Sequence, residues 1–240
     1  MTSRRINRNG IVLYRGPSLI DGRPIVVIAT GLRKHSDNGK TGHMVQTWIL
    51  EPDATTAAPT RTICGTCPHR SGACYVEWHR APRAVLRCYQ RGGYRDATLA
   101  DFRALKAGVY GPVRAGAAGD PAAAPDALWR ILRPRSGYTH DWRNSPGLRG
   151  LLMASVDTPD EARRAHAEGW RTFRVVGLNE TPATATGARE IECPSEKVAC
   201  SDCGLCDGTR MGARAVDVVA SIWIRAHGAG ARKFLPVVRS

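Results

Sequence analysis

Seven of the eight cysteines fall into two short stretches: Cys64, Cys67 and Cys74, then Cys193, Cys200, Cys203 and Cys206. A Cys-x-x-Cys turn aims two thiolates at one centre, so in a reducing compartment this spacing points to metal rather than to disulfides. The second stretch, Cys200-Ser-Asp-Cys203-Gly-Leu-Cys206, supplies three thiolates, and either Cys193 or the downstream His227 closes the shell. Zinc and a 4Fe–4S cluster both suit such donors. The first stretch has His69 and His79 close by and forms a second site or shares one with the other. Cys88 stands apart and reads as a small buried apolar residue on a helix.

The next chemistry-bearing residues are acids that follow predicted strands. Asp120 comes after an apolar stretch at 113–118 and Asp157 after one at 151–156. Carboxyl edges of parallel sheets are where α/β enzymes place their chemistry. Each acid also has a purely structural reading. Asp120, in Gly-Asp-Pro, suits an Asx turn, and Asp157 stands where a helix dipole stabilises a carboxylate. His140, Asp141 and Arg143 follow a third strand end and add titratable groups to the same edge, and Glu180 is a further acid downstream. Two motifs are excluded by spacing. Gly39-Lys40-Thr41 lacks the first glycine of a phosphate-binding loop, because Lys34 stands in its place. The three-residue then two-residue cysteine gaps typical of radical enzymes that cleave S-adenosylmethionine are missing, both gaps from Cys200 to Cys206 being two residues.

The elements that must position these residues are legible in outline. Short strands separated by Gly and Pro turns are predicted at 11–14, 24–30 and 43–50, an opening β section over about residues 10–50. A polar loop at 51–62 leads into the first cysteine loop, about 62–76, and helical spacing follows at 82–89 and 101–106. From residue 113 the pattern becomes strand, turn, amphipathic helix and strand, the signature of parallel βαβ units. One unit runs from the strand at 113–118 through a helix at 125–132 to a short strand at 137–140. The next runs from 151–156 into a helix with Thr158 at the N-cap, Pro159 at N1 and Glu161 completing a capping box. Gly169 ends that helix in a left-handed conformation, and a strand follows at 170–176. The second cysteine loop spans about 193–208. Two βα units in succession favour an α/β fold of the TIM-barrel-like or partial (β/α) barrel kind, with all 240 residues in one domain.

Composition narrows the partner. Lys and Arg total 35 against 21 Asp and Glu, a net charge of +14, and Lys accounts for only five of the basic residues. Guanidinium groups bind phosphate oxygens bidentately, and such a surface attracts a polyanion through counterion release, which points to DNA. A solvated basic surface without a specific partner is the alternative reading. No apolar run approaches the roughly 20 residues of a membrane span and no apolar segment follows the basic N-terminus, so the expectation is a cytoplasmic protein with no membrane partner.

The run of βα units, the acids at strand ends and the C-terminal Cys-x-x-Cys-x-x-Cys followed by His227 resemble the tRNA-guanine transglycosylase superfamily, over roughly residues 110–230. The arginine-rich composition and small size are similar to its phage members, which insert 7-deazaguanine bases into DNA. The resemblance implies a zinc site at Cys200, Cys203, Cys206 and His227, and an enzyme that exchanges guanine in DNA for a 7-deazaguanine precursor. Asp157 is then the nucleophile at C1′, Asp120 the acid/base group, and His140 or Asp141 a contact to base or sugar. The family's segment around its nucleophilic aspartate has no counterpart here, so these roles follow position alone. The alternatives are an iron–sulfur redox or radical enzyme acting on nucleic acid, and a non-catalytic zinc-stabilised DNA-binding module.

Overall fold

The computed structural model describes residues 6–179, 189–209, 220–228 and 231–234. The chain opens on β1 (Gly10–Pro17) and β2 (Pro24–Thr30), paired antiparallel, and β2 pairs antiparallel with β3 (Val45–Leu50). The β-branched run Ile25-Val26-Val27-Ile28 suits a strand covered on both sides. Ile25 and Val27 enter one apolar cluster while Val26 and Ile28 enter another. The first cysteine loop begins with the single-turn α1 (Arg61–Cys64). Then α2 (Ala81–Gln90) buries Pro82, Val85 and Leu86 and leaves Arg83 and Arg87 exposed. β4 (Arg95–Asp96) adds to the outer edge of β1. α3 (Leu99–Lys106) starts at a capping box in which Thr98 and Asp101 satisfy each other's backbone N–H groups.

β5 (Val113–Ala118) pairs parallel with β3, so the first sheet has the order β4-β1-β2-β3-β5. After α4 (Asp126–Leu132), β6 (Tyr138–Thr139) starts a second sheet, continued by β7 (Met153–Val156). α5 (Pro159–Ala167) leads to β8 (Thr172–Val176), and after β9 (Glu190–Glu192) and the short α6 (Cys200–Cys203) comes β10 (Ser221–Arg225). The order is β6-β7-β8-β10-β9, all neighbours parallel. The two sheets are stitched together beside β5, where Arg114 forms a parallel bridge with Ser136 and the Ala115 N–H donates to the Ser136 carbonyl at 2.8 Å.

The architecture is therefore α/β with two five-stranded sheets, one of them wholly parallel. In the described pairings β4 and β9 are end strands, and no ladder joins them. Strand period two sorts the side chains of the parallel strands. On β7, Ala154 and Val156 pack in the cluster that holds Ala162 and Ala165 of α5, whereas Met153 packs on the opposite face with Phe173 and Ile222. Among the described residues no helix is long and apolar enough to cross a membrane.

Local expectations and structure differ in three places. β4, β9 and β10 carry too few residues or too little apolar alternation to stand out in the sequence, and pairing with neighbours makes them strands. The second cysteine loop holds one helical turn, α6. At the start of α5, Thr158 caps as expected by accepting the Glu161 N–H at 3.1 Å. The Glu161 carboxylate, however, reaches one residue further back, to the Asp157 N–H at 2.9 Å, and also holds Arg143 at 3.0 Å.

Candidate metal centres around a shared cavity

The side chains on the face of the parallel strands away from α5 line a cavity of about 240 Å³. Arg114, Gly116 and Ala118 come from β5, with Ser136, Tyr138 and His140 along β6, Ser155 from β7, and Phe173 and Val175 from β8. Six of the eight cysteines open onto this same space: Cys64, Cys67, Cys74, Cys193, Cys200 and Cys206.

The first cysteine loop sits at the carboxyl ends of β5, β6 and β7. The Asp120 N–H donates to the Ile63 carbonyl at 2.6 Å, which ties the end of β5 to α1. Gly119 allows this approach: its φ is +79°, and a Cβ there would lie 2.7 Å from the Ile49 carbonyl oxygen. The Cys67 N–H bonds the Cys64 carbonyl, and both Gly72 and Cys74 bond the carbonyl of His69. These turns place Cys64, Cys67 and Cys74 along one wall of the cavity. Burial pushes the Cys64 thiol up, and negative charge on Cys67, Asp120 and Cys74 adds to it. Thiols so arranged are stable as thiolates only when a cation sits among them.

Beside this loop stands a histidine–carboxylate group. His69 Nε2 and Asp157 Oδ1 are 2.6 Å apart and His140 Nε2 is 3.8 Å from the same oxygen. Among the described residues, these three form the group of ligand atoms gathered within 4.8 Å of one another. Burial acts to raise Asp157, but His140 and His69 outweigh it and hold its carboxyl well below the usual range. Burial acts to lower His140, and the charges of Cys67 and Asp157 reverse this and raise it well above the usual imidazole range. Ser155 Oγ lies 3.1 Å from His140 Nε2.

The other sequence-selected groups are placed as follows. Asp120 spends both oxygens on the backbone, accepting from the Ala122 N–H at 3.0 Å and the His140 N–H at 2.8 Å. Burial raises it, and hydrogen bonds from Thr139 and these N–H groups oppose the rise. Asp141 holds Asn144 at 2.8 Å and does not line the cavity. His227 stacks on Tyr75, ring centroids 6.1 Å apart, at the end of β10. His79 is exposed, Cys88 is half-buried on α2, and Glu180 lies outside the described residues.

The second loop gathers Cys193, Cys200, Cys203 and Cys206, so Cys193 joins the three closely spaced thiols. Burial pushes the Cys206 thiol up, and Cys193 and Cys200 add to it; burial also raises Cys200, opposed by Arg114 and reinforced by Cys193 and Cys203. Backbone contacts set the loop. The Cys193 N–H donates to Trp223 of β10, the Cys200 N–H to Lys40, and the Gly137 N–H to Cys206. Lys40 belongs to the glycine-lysine-threonine segment excluded above as a phosphate loop; it clamps α6 instead. Gly204 caps α6 at φ +64°, with the Arg135 guanidinium where a side chain would stand. Arg171, whose side chain is fully buried, donates to the carbonyls of Leu205 and Ala220, both at 2.6 Å.

The donor chemistry fits a metal at both loops. A single zinc ion with Zn–S bonds of about 2.3 Å draws its sulfurs to about 3.8 Å from one another, whereas an iron–sulfur cubane gives each thiolate its own iron and spreads them. Among the described residues no three cysteine sulfurs lie within 4.8 Å of one another, and the donor set suits zinc and an iron–sulfur cluster alike. Arg114, Tyr138, Ser155 and the His69–Asp157 contact escape sequence inspection. The signal for the first three is strand parity, because residues two apart on β5, β6 and β7 share the inner face. No protein-family model, curated protein or solved structure matches this chain.

Proposed function

We propose that this protein is an iron–sulfur enzyme of one-electron chemistry, built on a partial (β/α) barrel, with two thiolate-ligated centres facing one cavity. The observation that carries the reading is that a three-cysteine loop and a four-cysteine loop, over a hundred residues apart in sequence, open onto the same space. Cys193, Cys200, Cys203 and Cys206 form a complete ligand set for a cluster that carries an electron. Cys64, Cys67 and Cys74 would hold a cluster at the other loop with three thiolates, and that centre would supply the chemistry on a reacting molecule. When bound, these clusters supply electron transfer. His69, Asp157 and His140 orient and hydrogen-bond beside the first loop, and the electrons come from an external low-potential protein donor. The charge of +14 supports nucleic acid as the partner on which the enzyme acts.

The transglycosylase reading asks more of the aspartates than their surroundings favour. A nucleophile needs a free carboxylate oxygen beside the sugar, and Asp157 is 6 % exposed with His69 on Oδ1. An acid/base group needs a proton to trade, and both oxygens of Asp120 hold backbone N–H groups.

Metal and sulfide analysis after anaerobic purification tests the proposal. Wild type is expected to contain iron and acid-labile sulfide in equal amounts. Cys67→Ser and Cys203→Ser are each expected to lose about half, from different centres, with distinct signals remaining in the electron paramagnetic resonance spectra of the reduced proteins. Stoichiometric zinc without sulfide would overturn it and favour the zinc-dependent alternatives.

A further inference from the structure

The inner face of the parallel strands is unusually poor in bulk where β5, β6 and β7 meet: Gly116, Ala118, Ser136 and Ser155 contribute little or no side chain to it. Space is thereby left between the two cysteine loops. Its walls are aromatic, with Tyr75, Trp78, Tyr138 and Phe173 lining it, and Tyr138 stacks on Phe173 with centroids 4.3 Å apart. Two donors in this wall are not matched by an acceptor of equal strength. The Trp78 Nε1 is buried and has no hydrogen-bond partner among the described residues. The Arg114 guanidinium has phenols as its hydrogen-bond partners, donating to the Tyr75 hydroxyl at 3.2 Å and contacting Tyr138, with the Cys200 thiol near it, and among the described residues no carboxylate pairs with it.

A half-buried guanidinium lining an aromatic-walled space is the arrangement that receives a planar carboxylate through two parallel hydrogen bonds. An indole N–H in the same wall serves a further ligand oxygen, and leaving it unmade costs about 1 to 3 kcal/mol. The cavity lies below the usual range for drug-sized ligands, roughly 300 to 1,000 Å³, so the guest is small. We propose that the cavity binds a small ring-bearing carboxylate, with Arg114 receiving the carboxylate and the aromatic walls holding the ring beside the three-cysteine centre. The proposal rests on the reading of the cavity as the reaction chamber, and names the substrate or co-substrate class it takes. The competing role for Arg114 is to balance thiolate charge at Cys200, which also lies near it.

Calorimetric titration of the anaerobically purified protein with benzoate, and with neutral benzamide of the same shape, separates the two roles. Benzoate is expected to bind at least tenfold more tightly than benzamide. Arg114→Gln is expected to remove that preference, and Arg114→Lys to keep part of it. Should Arg114→Gln fail to fold, Val175→Trp, which fills the cavity from β8, is expected to abolish benzoate binding. Equal affinity of wild type for the two probes, no benzoate binding, a benzoate preference that survives Arg114→Gln, or benzoate binding that survives Val175→Trp overturns the proposal and leaves Arg114 as a charge partner of the cysteines. Iron and sulfide measured on the same samples keep the outcomes apart. Benzoate preference without iron–sulfur content sinks the proposed function and leaves the anion site, and the reverse result sinks only the anion site.

Discussion

At the scale of residues, Asp157 is the group on which the two catalytic readings part. It stands on the inner parity of β7, one residue beyond the strand, and its carboxylate joins His69 from the first cysteine loop to the neighbourhood of His140 at the end of β6. In the iron–sulfur reading it is a positioning residue. Asp157→Asn keeps one acceptor oxygen but loses the charge that holds two imidazoles. Iron at the Cys64, Cys67 and Cys74 centre is therefore expected to fall several-fold while the four-cysteine centre retains its signal. Wild type mixed with DNA is expected to give no covalent adduct on a denaturing gel. An adduct formed by wild type and absent from Asp157→Asn would make Asp157 a nucleophile and favour base exchange.

At the scale of elements, α3 shows how a short helix is held where propensity alone would leave it frayed. Asp101 receives the Thr98 N–H and hydroxyl, each at 2.7 Å, and both arms of Arg95 at 2.6 and 2.7 Å. The hydrogen bonds from Arg95, opposed by burial and reinforced by Thr98, hold its carboxyl well below the usual range. A depressed folded pKa means the stabilisation is fully present above the unfolded value near 4 and is lost as pH falls through the lower folded value. Asp101→Asn is therefore expected to cost about 1 to 2 kcal/mol in urea unfolding at pH 7. The gap to wild type should begin to narrow below about pH 4, where the unfolded aspartate takes up a proton, and shrink progressively as pH falls toward the lower folded value. A gap independent of pH would show that the helix depends on Asp101 for shape rather than charge.

At the scale of the whole molecule, charge and cavity act at different places. Arg83 and Arg87 are exposed one helical turn apart on α2, and Arg80 and Arg91, also exposed, extend the row. Each phosphate contact contributes about 0.9 to the slope of log affinity for duplex DNA against log salt. Replacing Arg83 and Arg87 with Gln is expected to reduce that slope by about 1.8 and leave iron content unchanged. An unaltered slope would move the nucleic-acid surface off α2, and salt-independent binding would remove the polyanion reading altogether.

What the sequence determined alone is whatever depends on near neighbours. β2 and β5 begin and end at the predicted residues, α2, α4 and α5 lie within two residues of theirs, and Thr158 and Gly169 punctuate α5 as their chemistry requires. Cysteine spacing separated two donor sets, and strand ends marked Asp120, His140 and Asp157, because caps, turns and periodicity are local. Tertiary structure decided which side of the sheet each of these faces and what meets it there. Cys193 came beside the second cysteine loop because the strand edge at Trp223 holds it. Asp120 became a backbone anchor because β6 arrives beside it. His69 met Asp157 across 88 residues of chain. Such meetings depend on register and on the closeness of strands paired over long loops, and no spacing along the chain encodes the distance between two side chains that only a shared cavity brings together.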